Sequence, residues 1–220
     1  MDQQLPGVHE IPYGLSTFVI RLTNSAAGYN DKNRVENEVA ALSIARDALR
    51  TKLPHLVPRV FGWCSASNGQ GWILQERMPG TPLLEDFDSM SDEAKGIILG
   101  QIADIVACFQ RYQLPYTIRE YGGLDFGPSG EYVSAPLSIL DGGPFSSYEA
   151  FVRGIVQSKL AKADADPRVN GWRENNVRSR LDKFITHGLR SIMEDMNNCR
   201  KVLVHGDFCK YLDCVLGLAK

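Results

Sequence analysis

Val202-Leu203-Val204-His205-Gly206-Asp207-Phe208 is the stretch that decides the expected fold of this chain. Its first three residues are aliphatic and predict a buried strand, and the glycine after His205 predicts a turn at the end of that strand. Such a turn presents the carboxylate of Asp207 at a strand-to-loop junction, where a carboxylate is suited to act as a general base. Taken alone, the same His-Gly-Asp triplet is more often an ordinary strand-ending turn than a catalytic loop.

The composition is that of a globular protein without a strong electrostatic preference. The 220 residues are 44% hydrophobic and 23% charged, and the formal net charge is -2. This balance disfavours nucleic acid and anionic membranes as partners, and no run reaches the ~18 apolar residues of a membrane span. The first residues lack the blocks of a signal peptide, so we expect a cytoplasmic protein. The five cysteines are an odd number without C-x-x-C spacing, which favours reduced thiols.

The first part of the chain alternates strand, helix and strands. Its periodicity and turn residues predict a strand at residues 17–22, a helix at residues 34–50 capped by Asn33, and a hairpin of strands at residues 57–64 and 71–76. Pro79 and Gly80 then break regular structure. We place a lobe boundary at this break, between residues 1–78 and residues 79–220.

The second part is expected to be mainly helical. The sequence predicts a helix at residues 91–113, a loop-rich stretch with a hairpin at residues 121–144, and helices near residues 147–163 and 173–198. The positions expected to face inward are Ile98, Ile102, Ile105, Val106, Phe109, Phe151, Ile155, Leu181, Phe184, Ile185, Leu189, Ile192 and Met196. A sheet-rich first part followed by helices predicts an α+β protein with two lobes.

The order of these motifs resembles the aminoglycoside phosphotransferase and choline-kinase-like family, particularly its fungal members. The matching motifs are Phe18-Val19-Ile20-Arg21-Leu22, Asn37-Glu38-Val39-Ala40-Ala41-Leu42, the run from Trp72 to Gly80, Tyr121-Gly122-Gly123-Leu124, Gly142-Gly143-Pro144-Phe145 and Leu203 to Phe208. The resemblance implies a protein-kinase-like fold with a small β-rich nucleotide-binding lobe. It also implies ATP-dependent phosphorylation of a small-molecule hydroxyl, with Mg²⁺ as the metal.

The resemblance assigns Arg21 to the place of a strand cation near the nucleotide phosphates and Glu38 to the helix carboxylate that pairs with it. An arginine keeps the charge of the usual lysine and adds a bidentate fork. The alternative from the residues alone is an arginine at a sheet edge and a solvated glutamate that do not touch.

Two further sets of residues follow from the resemblance. The linker between the lobes, Gln75, Glu76, Arg77 and Met78, would bind the adenine edge through its backbone groups, although these letters also fit an ordinary strand end. Asp207 would be the catalytic base, and His205 would orient its loop.

The chain departs from the family pattern after Asp207. Leu212 stands where the family has a metal-binding asparagine, with Asp213 beside it, and no residue is assigned as a metal ligand. The family's later metal-binding aspartate has no counterpart before Lys220, so we expect a shortened and inactive chain as one outcome. The alternatives are a pseudokinase that binds a nucleotide or a protein, and a fragment that does not fold. The sequence does not indicate an oligomeric state.

Overall fold

The described part of the chain forms two antiparallel sheets and six α-helices. The computed structural model describes residues 5–27, 30–80, 83–140, 142–169, 171–172, 174–194, 196 and 199–206. The strands are β1 (Phe18–Leu22), β2 (Val60–Cys64), β3 (Trp72–Glu76), β4 (Gly123–Phe126) and β5 (Tyr132–Ala135). The helices are α1 (Asp31–Leu49), α2 (Leu83–Asp86), α3 (Asp92–Arg111), α4 (Tyr148–Ala165), α5 (Val177–Lys183) and α6 (Leu189–Met193). This confirms the expected α+β class.

The first sheet has the strand order β1-β3-β2, and the expected hairpin of β2 and β3 is confirmed. Strand β1 pairs antiparallel with β3, so that Arg21 lies opposite Ile73. Residues directly opposite in a sheet share one face. Ile73 is buried against α1, which places Arg21 on the face of the sheet that α1 covers.

Helix α1 begins earlier than the sequence predicts. Its N-cap is Asn30, whose side chain accepts a hydrogen bond from the Lys32 N–H at 3.2 Å. The prediction of Asn33 as the cap is wrong, because the amide of Asn33 is used elsewhere and donates to the Pro136 carbonyl at 2.7 Å. Capping by Asn30 adds almost one helical turn before the first apolar position.

One hydrophobic core holds α1 against the sheet. Val35 and Val39 of α1 pack on Val60 of β2 and Ile73 of β3, and all four are at most 3% exposed. Burying an aliphatic side chain of this size contributes about 1.5–3 kcal/mol. This core fixes the distance between the helix and the strand that carries Arg21.

Helix α3 agrees with its prediction in extent and, apart from one residue, in its buried face. Ser91 caps it by accepting from the Ala94 N–H at 3.3 Å. Ile98, Ile105 and Phe109 are buried, but Val106 is 39% exposed and its inward assignment is wrong. The helical turn places Val106 one residue past the buried Ile105, which rotates it out of the face that meets α1.

The expected hairpin in the loop-rich stretch is confirmed as β4 and β5. Gly123 pairs with Ala135 and Phe126 with Tyr132. The hairpin packs on α1, and the Phe126 ring stacks with Trp63 at 6.2 Å between centroids. Helix α1 therefore lies between the first sheet and this hairpin.

The predicted helix at residues 173–198 is shorter and irregular. It runs from α5 through a π-helical turn, Phe184–Gly188, into α6. The Thr186 hydroxyl donates to the Asp182 carbonyl at 2.7 Å, a local bond that competes with the backbone ladder. A π turn adds a residue and shifts the phase of the helix. Of the positions expected inside, Ile185 and Leu189 are buried, whereas Phe184, Ile192 and Met196 are more than 40% exposed.

The strand expected at residues 202–204 is not formed by the described chain. A strand requires a neighbour for its backbone groups, and none of the strands in the described ranges pairs with this segment. Leu203 packs against the cluster around Phe109, and Lys201 lies 4.7 Å from the centre of the Tyr121 ring. Val204 is 74% exposed.

None of the helices in the described ranges is long and apolar enough to cross a membrane. The boundary between residues 78 and 79 stays a prediction.

Candidate functional site

Arg21 and Glu38, predicted as a pair, lie in direct contact. The Nη1 of Arg21 donates a hydrogen bond to Oε1 of Glu38 and forms an ion pair with it. The pair joins β1 to α1 across 17 residues of sequence. The side chain of Arg21 is 48% exposed and that of Glu38 is 25% exposed. The guanidinium is therefore anchored on one side and open to solvent on another, an arrangement in which it retains donors for a further anion.

Burial lowers the pKa of Arg21 from its ordinary value, and the positive charge of Arg34 lowers it further. The ordinary pKa of arginine lies so far above 7 that the guanidinium stays protonated in proteins. Arg34 is therefore a second cation near Arg21.

Two asparagines hold α1 in the rotation that brings Glu38 to Arg21. Asn37 is 7% exposed; its Nδ2 donates to the Leu124 carbonyl at 2.9 Å and its Oδ1 accepts from the Ser138 N–H at 2.9 Å. Asn33 adds its bond to Pro136 one turn earlier. Because residues 37 and 38 are neighbours on the helix, fixing Asn37 to the β4–β5 hairpin fixes the direction of Glu38.

We expect Asn37→Leu to reduce the free energy of unfolding by about 2–4 kcal/mol, because it removes the partner of two part-buried groups, the Leu124 carbonyl and the Ser138 N–H. Urea unfolding measures this change. Asn33→Leu is the matched control, since it removes a single bond to Pro136 and should cost about half as much. Equal losses in the two variants would contradict the role assigned to Asn37.

A cavity of about 650 Å³, here called the α1–α3 cavity, opens beside the Arg21–Glu38 pair. Its lining is aliphatic and aromatic apart from Arg21, Glu38 and His205. The apolar lining residues are Ala41, Leu42, Ala45 and Leu49 of α1, Leu56, Val57, Pro58, Leu83 and Phe87 of the connecting segments, Ile98, Leu99, Ile102, Ile105 and Phe109 of α3, and Leu203 and Val204. Among the described lining residues, the Arg21–Glu38 pair forms a polar end of the cavity, and most of the other residues form apolar walls.

The structure brings His205 to the same cavity as Arg21 and Glu38. His205 is exposed, and residues 203–205 together line the cavity. Asp207, Leu212 and Asp213 lie outside the described residues, so the role of Asp207 as base stays a prediction.

The four linker residues do not line the α1–α3 cavity. Glu76 is instead engaged by Arg59, which donates from Nε at 3.0 Å, from Nη2 at 2.8 Å and from its backbone N–H at 3.1 Å. The Oε1 of Gln75 is buried without a hydrogen-bond partner among the described residues. Arg77 is exposed and Met78 is half-buried. Their adenine role stays a prediction.

The hydrogen bonds from Arg59 lower the pKa of Glu76 from its ordinary value of 4.5. A lowered pKa in the folded state means that the pair stabilises the fold above the unfolded pKa and loses this contribution as the pH falls through the folded pKa. We expect Glu76→Gln to cost about 1–2 kcal/mol at pH 7, after solvent screening, and to cost less below pH 4. Urea unfolding at both pH values measures the difference. Glu10→Gln, at an exposed position, is the control and should change neither value.

The described residues fit a phosphate group better than they fit a metal. An arginine that is anchored by a carboxylate suits a phosphate. Among the residues that the structure describes, no three His, Cys, Asp or Glu side chains converge as a metal site. The described residues therefore provide no ligand set for Mg²⁺.

The sequence pointed to Arg21, Glu38 and His205 as candidate site residues, but it did not point to the apolar residues that line the cavity. The signal was present in α1, where Glu38, Leu42, Ala45 and Leu49 recur at helical spacing and fall on one face. In α3 the same face continues at Ile98, Ile102 and Ile105. The sequence does not show that these faces of α1 and α3 leave a cavity between them.

Comparison with known proteins gives one match. A family profile described as the phosphotransferase enzyme family covers residues 12–210. No curated protein and no solved structure matches the chain.

Proposed function

The chain belongs to the phosphotransferase enzyme family, and from this we propose that it transfers a phosphoryl group from ATP to a hydroxyl of a small molecule. The observation that supports the proposal best is that Arg21, Glu38 and His205 all line one cavity. These side chains come from three separate parts of the chain. Each has a defined task in a phosphotransferase.

Arg21 binds phosphate oxygens in this proposal. Its guanidinium is held by Glu38, so less conformational entropy is lost when a phosphate is bound. Phosphoryl transfer depends mostly on positioning and on neutralising charge, and a fixed cation contributes to both.

His205 and Asp207 act on the acceptor. His205 lines the cavity and precedes Asp207 by two residues, and this short separation supports a role for the Asp207 carboxylate at the same cavity. The carboxylate accepts a hydrogen bond from the acceptor hydroxyl and takes its proton as the oxygen attacks. ATP, when bound, supplies the phosphoryl group.

The linker residues Gln75, Glu76, Arg77 and Met78 contribute backbone groups to the adenine edge in this proposal. The ion pair between Arg59 and Glu76 supports this role, because the pair holds the end of β3 in one conformation.

The experiment that tests the proposal measures ADP release by the purified chain with ATP and a panel of hydroxyl-bearing small molecules. A rise in thermal stability with ATP is recorded in parallel, since a ligand that binds only the folded state raises its stability. Turnover with one class of acceptor supports the phosphotransferase. Stabilisation by ATP without turnover would make the chain a nucleotide-binding module instead. If ATP produced neither turnover nor stabilisation, the proposal that the chain binds a nucleotide would be contradicted.

A further inference from the structure

Strand β1 forms one edge of the first sheet, whose strand order is β1-β3-β2. The Thr23 N–H donates to the Gly71 carbonyl at 2.9 Å, which directs the backbone groups of Thr23 toward the β3 side. Backbone groups alternate in direction along an antiparallel strand, so those of Phe18, Ile20 and Leu22 point away from β3. Among the residues that the structure describes, none forms a hydrogen bond with these outward groups.

The opposite edge, β2, is covered by the start of the described chain. The His9 N–H donates to the Val60 carbonyl at 2.8 Å, and the Trp63 Nε1 donates to the Pro6 carbonyl at 2.9 Å. A bulge next to Val60 also interrupts β2. Covering segments, bulges, prolines and lysines are the usual protection of an edge strand. Strand β1 is paired in a regular register and contains neither proline nor lysine.

Two apolar side chains lie beside the unpaired edge of β1. Ile20 is opposite Leu74 and Leu22 is opposite Trp72, which places all four on the face of the sheet that α1 does not cover. Ile20 is 61% exposed and Leu22 is 54% exposed. An apolar strand with free backbone groups is a template on which a further strand can pair.

The sequence of β1 is complementary to itself when Ile20 lies opposite Ile20 of a second, antiparallel copy. Phe18 then faces Leu22, and the outward groups of the two strands can form about six backbone hydrogen bonds. Val19 faces Arg21, whose charge is already neutralised by its ion pair with α1. A pairing centred one residue later would set Arg21 directly against its own copy, and like charges in that position are destabilising. The strand therefore favours the register centred on Ile20.

We propose that two copies of this chain associate through their β1 strands, antiparallel and centred on Ile20, and join two three-stranded sheets into one of six strands. Two strands of five residues make a small contact compared with the ~1,200–2,000 Å² of stable complexes. The dimer is therefore reversible and depends on concentration. The proposal goes beyond the phosphotransferase activity and does not depend on it.

Disulfide formation in the full chain tests both the pairing and its register. Residues that face each other across the two-fold axis have Cα atoms about 5.5 Å apart, within the range that a disulfide bridges. Mild oxidation should therefore convert Ile20→Cys into a covalent dimer. Leu22→Cys is the matched control, because its two copies lie about 14 Å apart along the strands and should crosslink about tenfold more slowly or less. Equal crosslinking of the two variants would overturn the proposal.

The chain's own thiols set the background of this experiment. Cys64 and Cys199 are exposed, so the unaltered chain is oxidised in parallel. Mass spectrometry of the crosslinked peptides identifies the bonds that join residue 20 to residue 20. A covalent dimer of Ile20→Cys that contains no such bond would also contradict the proposal.

Sedimentation velocity over a concentration series measures the dimer without an introduced thiol. We expect Ile20→Lys to lower the association constant by about tenfold or more, because a lysine at a strand edge opposes pairing. Ile192→Lys is the control, since it makes the same change at a position on α6 that is 60% exposed, and it should leave the constant unchanged. An unaltered chain that stays monomeric up to about 100 µM, or equal weakening by both variants, would overturn the proposal.

Hydrogen exchange distinguishes the other occupants of this edge. In the dimer the amides of Ile20 and Leu22 should be protected, and dilution to the monomer should remove the protection. Protection that persists in the monomer would assign the edge to another part of the same chain. Rapid exchange at every concentration would show that the edge has no partner. Either result contradicts the proposal.

Discussion

Asp207→Asn is expected to lower the rate of phosphoryl transfer by about 10²–10⁴-fold while leaving ATP binding unchanged. Asparagine keeps the shape and polarity of aspartate but does not accept the proton of the attacking hydroxyl. A base of this kind is needed only in the transition state, so the loss should appear in kcat and not in KM. The rate of ADP release, with the acceptor that the panel identifies, measures this loss in kcat.

The control for this substitution is Asp88→Asn, which makes the same chemical change at an exposed position. It should leave both kinetic constants unchanged. ATP-dependent thermal stabilisation should be equal in the unaltered chain and in Asp207→Asn. Full turnover by Asp207→Asn would remove Asp207 from the mechanism, and the remaining candidate site would then need another base.

Arg21→Ala is expected to lower kcat/KM by about 10²–10³-fold, because the cation that neutralises phosphate charge is removed from the polar end of the cavity. Part of the effect should be a higher KM for ATP, since Arg21 contacts the nucleotide before the reaction as well as during it. The fold should survive, because Arg21 lies on β1 at the edge of its sheet and is half exposed. Steady-state kinetics and a thermal melt report the two properties separately.

Three companion variants define what Arg21 contributes. Arg21→Lys retains the charge but not the fork, and should recover most of the loss. Glu38→Gln leaves the cation in place but weakens its anchor, so its effect should be smaller than that of Arg21→Ala. Arg190→Ala removes an exposed arginine on α6 and is the control for overall charge. An unchanged KM for ATP in Arg21→Ala would contradict phosphate binding at this position.

The elements that local pattern predicted well are those held by their own amphipathic faces. Helix α3 and the β2–β3 hairpin lie within two or three residues of their predicted bounds, because their turn and cap residues act on neighbours in the sequence. The N-cap of α1 was predicted at the wrong asparagine, Asn33 in place of Asn30. Asn30 and Asn33 are the same residue type, and only the contact with Pro136 shows that Asn33 is used across 103 residues of sequence.

The predictions that failed depended on partners. Val202 to Val204 have strand-forming side chains, but a strand forms only where another backbone accepts its hydrogen bonds, and the described residues place no such neighbour beside them. Phe184 and Ile192 fit a regular helical period, but a π turn that begins at Phe184 interrupts the helix, and both side chains are exposed.

The sequence by itself determined the α+β class, the family, and the identity of Arg21 and Glu38, since each of these is carried by residue type and order along the chain. Only the tertiary structure decided that Arg21 and Glu38 touch, that Asn37 holds the helix in the required rotation, and that α1 and α3 enclose a cavity. These facts depend on the relative placement of elements that are far apart in sequence. Such placement is set by how side chains pack, and packing is a property of surfaces in contact and not of any single segment.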